Sequence, residues 1–155
     1  MGFYRLAVRL TSKTSYYRLG KEHHNSRGRK VKIFLISPVK DAESKELERV
    51  AAYVATLESA GHKVHWPLTD TKQDDLTGGY EICRTNFATI LEADEIHIWY
   101  DETSGGSKFD MGGVFMLVEM LGWKKKVVIV NDGEVVDNSK KSFYKVFKHL
   151  VEKTK

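Results

Sequence analysis

The 155-residue chain carries 25 Lys/Arg against 21 Asp/Glu, 41% hydrophobic residues and a single cysteine. That length fits one domain with a real core. One cysteine excludes an intrachain disulfide and suits a reducing, cytoplasmic setting, and no run approaches the ~18 apolar residues of a membrane-spanning helix.

The net charge of +4 averages two unlike segments. Residues 1–30 hold eight Lys/Arg and one acid, Glu22, whereas the remainder sums to −3. A basic tail of this kind can touch nucleic acid or anionic lipid. The acidic remainder argues against a larger nucleic-acid surface, so a solvated leader is the simpler reading. Its Arg- and Ser-containing, acid-poor composition also fits an organellar transit peptide. Arg5 and Arg9 interrupt the apolar residues that a secretory signal needs. The expected organisation is a basic flexible extension over 1–30 and an α/β domain over 31–155.

In the leader, His23 and His24 lack a further ligand at metal spacing and read as incidental. The β-branched run Val31-Lys-Ile-Phe-Leu-Ile36 predicts a buried strand, ended by Ser37-Pro38. Leu47, Val50, Ala51, Val54 and Leu57 predict a helix over 43–60, stopped at Gly61. His62 to Trp66 reads as a second strand closed by Pro67, and 68–77 as a polar loop. Tyr80, Ile82, Phe87, Ile90 and Leu91 predict a second helix opened by Gly78-Gly79. Residues 94–100 form a third strand, 108–122 a third helix, 126–131 a fourth strand and 139–152 a closing helix. Asp132-Gly133 reads as a turn.

Strands alternating with helices predict a parallel sheet covered on both faces, with right-handed crossovers. Four to five strands in the order 2-1-3-4 make a small flavodoxin-like doubly wound fold. Ligands of such sheets bind beyond the strand carboxyl ends at the switch point, here between strands one and three. That places Ser37-Pro-Val-Lys-Asp41 opposite Asp101 to Asp110.

The chemistry-bearing stretch is Asp101-Glu-Thr-Ser-Gly-Gly-Ser-Lys-Phe-Asp110-Met-Gly-Gly113. Its Gly/Ser turn between a strand and a helix offers backbone N–H groups to an anion. Ser104, Gly105, Gly106 and Ser107 form the cradle. Asp110 has two readings. Ser107-Lys-Phe-Asp110 has capping-box spacing, with Ser107 as N-cap and the acid at N3. The same position beside a helix N-terminus would keep a carboxylate ionised at low pKa, ready to attack an anomeric carbon.

Asn86 is unfavourable inside a helix and points to a hydrogen bond, either to a ligand or within the protein; Arg84 or Tyr80 nearby could face the same site. Lys40 could contact a phosphate. Cys83 reads as helix filler, since nothing near it in sequence activates a thiol. His62, His65 and His97 have no third ligand at metal spacing, so no metal and no cofactor are expected. Trp66, Trp99, Phe109 and Phe115 are expected in the core.

Together, Ile33-Phe-Leu-Ile-Ser-Pro38, Glu92-Ala-Asp94, Ser104-Gly-Gly-Ser-Lys-Phe-Asp110-Met-Gly112 and Lys124-Lys-Lys-Val-Val-Ile129 resemble the nucleoside 2-deoxyribosyltransferase family. The resemblance includes its deoxynucleoside-monophosphate N-glycosidase branch and covers about residues 31–131. It implies a flavodoxin-like enzyme that cleaves or transfers the N-glycosidic bond of a deoxynucleoside or its 5′-monophosphate. The nucleophile position of the family, usually Glu before Leu-Gly, falls on Asp110 before Met111-Gly112. An acid common eight residues before the Ala-Asp aspartate is replaced by Asn86, left to orient the sugar or base. Ser104 stands where the nucleotide branch has its phosphate-contacting Ser, and Ser37 would line the pocket. The resemblance also implies a homo-oligomer, a dimer or higher. A non-catalytic nucleotide-binding or sensing module is the alternative.

Overall fold

The structure, a computed structural model, describes residues 30–39 and 43–155. The extension expected over residues 1–29, with His23 and His24, and the loop residues Lys40 and Asp41 lie outside the described residues. Four parallel strands, β1 (Lys32–Ile36), β2 (Lys63–His65), β3 (Glu95–Ile98) and β4 (Lys126–Ile129), form one sheet in the order 2-1-3-4. Ile36 pairs with Ile98, and Ile98 with Ile129, so these strand ends are level where β1 and β3 meet. The α/β doubly wound architecture read from the sequence is therefore present.

The side-chain alternation of β1 divides the core. Ile33 and Leu35 pack with Val64, Trp66, Trp99 and Val50 against α1 (Ser44–Ser59). Phe34 and Ile36 point the other way. They join Ile90 of α3 (Tyr80–Glu92), Met111, Val114 and Leu117 of α4 (Gly105–Leu121), and Phe147 and Leu150 of α5 (Phe143–Lys153). At ~25 cal/mol per Å² of apolar surface, two such clusters supply the main driving force for folding.

Three expectations change. The loop after β2 contains a helical turn, α2 (Pro67–Asp70), with Pro67 at its first position and the Asp70 carboxylate accepting the Trp66 N–H at 2.7 Å. The closing helix starts at Phe143, four residues later than expected. Ser142 caps it by accepting from the Lys145 N–H, and Asp137 ties up the Ser139 and Ser142 hydroxyls, which holds the preceding segment in a turn. Phe109 and Phe115 are not core: Phe109 is 57% exposed and Phe115 is also exposed. Trp66 and Trp99 are buried, their indole N–H groups bonded to Ser37 and Glu46. Among the described residues no helix is long and apolar enough to cross a membrane.

Candidate active site

The helix carrying Asp110 is capped three residues earlier than predicted. Ser104, in extended conformation, is the N-cap of α4; its Oγ accepts the Ser107 N–H at 3.3 Å and donates to the Ser107 Oγ at 2.9 Å. Gly105 and Gly106 form the exposed first turn, with their N–H groups among those that no helical carbonyl can reach. The capping-box reading of Ser107 and Asp110 is thus overturned. Asp110 sits in the second turn, too deep to cap.

The buried residues of α4 are Ser107, Asp110, Met111, Val114 and Leu117. This is the spacing of a core-facing stripe, and Asp110 interrupts it with an acid that is only 6% exposed. Asn86 and Ile90 are the buried residues of α3. The two polar interruptions meet: Asn86 Nδ2 donates to Asp110 Oδ2 at 3.1 Å. Close packing of the helices permits this. A Cβ on Gly113 would stand 1.9 Å from the Phe87 ring, which also meets Phe109 edge-on. Any side chain at Gly113 would displace the Phe87 ring from between the two helices.

The Asn86 amide is held from behind as well. Its Oδ1 accepts from the Thr71 hydroxyl at 3.0 Å, and the same hydroxyl lies 3.0 Å from His65 Nε2. Burial raises Asp110 to about 6, and the hydrogen bond from Asn86 opposes this only in part. The low-pKa expectation from the helix N-terminus is therefore reversed, because desolvation of the charge outweighs the dipole at this depth. Among the described residues no cation lies within ion-pair distance of Asp110. At neutral pH the group is nonetheless mostly ionised. Burial, followed by the Asp110 and Asp75 charges, pushes the Cys83 thiol up and keeps it protonated.

Of the remaining candidates, Ser37 is buried at the carboxyl end of β1 with its hydroxyl accepting from Trp66 Nε1 at 2.8 Å. Tyr80 is exposed, and Arg84 pairs with Glu81 on the surface. Thr71 and His65 were not legible as site residues: one sat in an unremarkable polar loop and the other at a strand end. Among the described residues no three His, Cys, Asp or Glu side chains converge as metal ligands. Two surface grooves lie away from this cluster, along β4 and between α4 and α5.

No protein-family model and no curated protein matches the chain. Among solved structures it is similar to a 2-deoxyribosyltransferase from the psychrotolerant bacterium Bacillus psychrosaccharolyticus. Sequence identity is 21%, coverage is 68% of this chain and 77% of that one, and the TM-score is 0.53. The chain shares the fold of that 2-deoxyribosyltransferase. The shared fold agrees with the 2-1-3-4 sheet.

Proposed function

We propose that the protein cleaves or transfers the N-glycosidic bond of a deoxynucleoside or its 5′-monophosphate, with Asp110 as nucleophile. One observation carries the reading: a buried carboxylate with no counter-charge among the described residues, one oxygen held by Asn86, on the helix that follows β3. Such a group is costly to maintain and is the kind of perturbed acid that marks functional sites. Its relative is described as a biocatalyst for the synthesis of nucleosides, which supports glycosyl transfer as the class of reaction.

In this scheme the free Asp110 oxygen attacks C1′ as the bond to the base breaks, through an oxocarbenium-like transition state. Water or a second base then displaces the carboxylate. The first turn of α4, with Ser104, Gly105, Gly106 and Ser107, suits a 5′-phosphate, since free N–H groups and the helix dipole favour an anion there. Asn86, with both amide atoms engaged inside the protein, orients the carboxylate. Ser37 contributes to the wall of the pocket, and a homo-oligomer would complete the site.

The engagement of Asn86 also favours a second reading. The chain offers no proton donor at that position, as in a module that binds nucleotide without cleaving it. Incubation with each deoxynucleoside and its 5′-monophosphate, with and without an acceptor base, separates the two by chromatography of free base and new nucleoside. Base release lost in Asp110→Ala and retained in Cys83→Ala is the expected result. Tight nucleotide binding with no release would reject the enzyme.

A further inference from the structure

We propose that Thr71 and His65 are positioning residues for Asp110, locking the Asn86 amide so that its N–H group, and not its oxygen, faces the carboxylate. Counting protons sets the direction of the chain. A threonine hydroxyl has one hydrogen, and Thr71 gives it to Asn86 Oδ1 at 3.0 Å. The 3.0 Å contact between the same hydroxyl and His65 Nε2 must then run from an Nε2–H to the Thr71 oxygen. The donors point one way, from His65 through Thr71 and Asn86 to Asp110.

Each link is held by its surroundings. The His65 ring stacks on Phe34 with centroids 5.2 Å apart. Burial lowers its pKa, with Asp70 opposing and Lys63 assisting, so the ring is neutral and the proton on Nε2 is required by the chain. Thr71 is buried directly after α2 in an extended conformation. Gln73 donates to the carbonyls of Pro67 and Thr71, at 2.7 and 2.8 Å, which fixes the backbone of that turn.

An amide is nearly the same shape when turned end for end, so packing alone does not choose its orientation. Thr71 chooses it. Without that hydroxyl, Asn86 can present its oxygen, which repels a carboxylate and accepts only from the protonated acid. Orientation therefore sets which form of Asp110 is favoured. The titratable group facing Asp110 from α3 is Cys83, held protonated; His65 stands three hydrogen bonds away.

The link to rate rests on the reading of Asp110 as the nucleophile, whereas the link to its proton affinity does not. The test is a carboxyl ¹³C titration of Asp110 in the full chain, its resonance identified by loss in Asp110→Asn, beside the pH profile of base release. Thr71→Val, which removes only the hydroxyl, should raise the midpoint by about half to one pH unit, about three- to tenfold in proton affinity. Thr71→Ser should restore it. His65→Phe, which keeps the stack on Phe34, should shift it the same way by less. The acid limb of base release should move with the midpoint.

A Thr71→Val protein with a native amide spectrum and an unmoved midpoint would overturn the proposal, as would a Thr71→Ser shift of equal size. Should Thr71→Val not fold, an unmoved midpoint in His65→Phe overturns it instead. A midpoint that moves in a protein releasing no base rejects the catalytic reading and leaves this one standing.

Discussion

Two buried polar chains lie on opposite faces of the same sheet, and they end differently. On the α1 face, Tyr53 Oη meets His97 Nδ1 at 2.8 Å, His97 Nε2 meets Glu95 at 3.1 Å, and Lys126 Nζ meets Glu95 at 3.2 Å. The hydrogen bond from His97, and then Lys126, hold Glu95 below the usual carboxylate range against the opposing effect of burial. On the α3/α4 face the chain from His65 ends on Asp110 with no cation among the described residues, and burial pushes that acid up to about 6. The first arrangement neutralises its charge and stabilises the fold. The second keeps a poorly solvated charge, which folding alone gives no reason to retain.

Several substitutions break or sharpen this contrast. The largest effect is expected from Asp110→Ala, which should reduce base release by at least about a thousandfold if the carboxylate attacks C1′. Single-turnover release measured by chromatography checks it, and Glu95→Gln should leave release within about threefold.

Stability should respond with opposite sign at the two carboxylates. The folded pKa of Asp110 lies above its unfolded value of 3.8. Its contribution is therefore full below about pH 4 and lost as pH rises through about 6. Asp110→Asn escapes that loss, so it should be more stable than the parent by about 2–3 kcal/mol at pH 7 and no more stable at pH 3.5. Glu95 is depressed, so its contribution is present at neutral pH and lost as acid protonates it in the fold. Glu95→Gln should destabilise at pH 7, with the deficit closing under acid. Denaturant melts across pH 3.5–7.5 read both; parallel curves for the two variants would dissolve the contrast.

Gly113→Ala tests how the helices bring Asn86 to Asp110. The Phe87 ring must move to admit the methyl, at a cost of about 1–3 kcal/mol, and base release should fall with it. A variant as stable as the parent would show that the Phe87 ring turns aside at no cost. The smallest effect is expected at Ser104→Ala, which removes the α4 cap for about 1 kcal/mol. It should raise KM for a 5′-monophosphate more than for the free nucleoside; equal changes would detach Ser104 from phosphate.

Much of the fold was legible because its signals are local. The β-branched runs at 31–36 and 126–129 and the apolar spacing in 43–60 specify elements by themselves, and alternating elements permit few sheet orders. The pairing of Asn86 with Asp110 was only half visible: Asn86 was an odd residue in its helix and Asp110 a candidate cap or nucleophile, but their hydrogen bond spans 24 positions. The start of α4 was misread because Ser104 and Ser107 both satisfy cap chemistry, and only the backbone at Ser104 decides between them. Phe109 and Phe115 were placed inside on hydrophobicity, which does not say which face of α4 meets the sheet.

The sequence by itself determined the order of elements, the sheet class and the residues with chemistry to offer, since propensity, periodicity and turn residues act over a few neighbours. Only the tertiary structure decided what surrounds those residues. It set Asp110 on a buried face against Asn86, Thr71 and His65, and it put Glu95 beside Lys126. Desolvation and hydrogen-bond direction depend on what is packed around a group, and the groups that set them here come from separate parts of the chain.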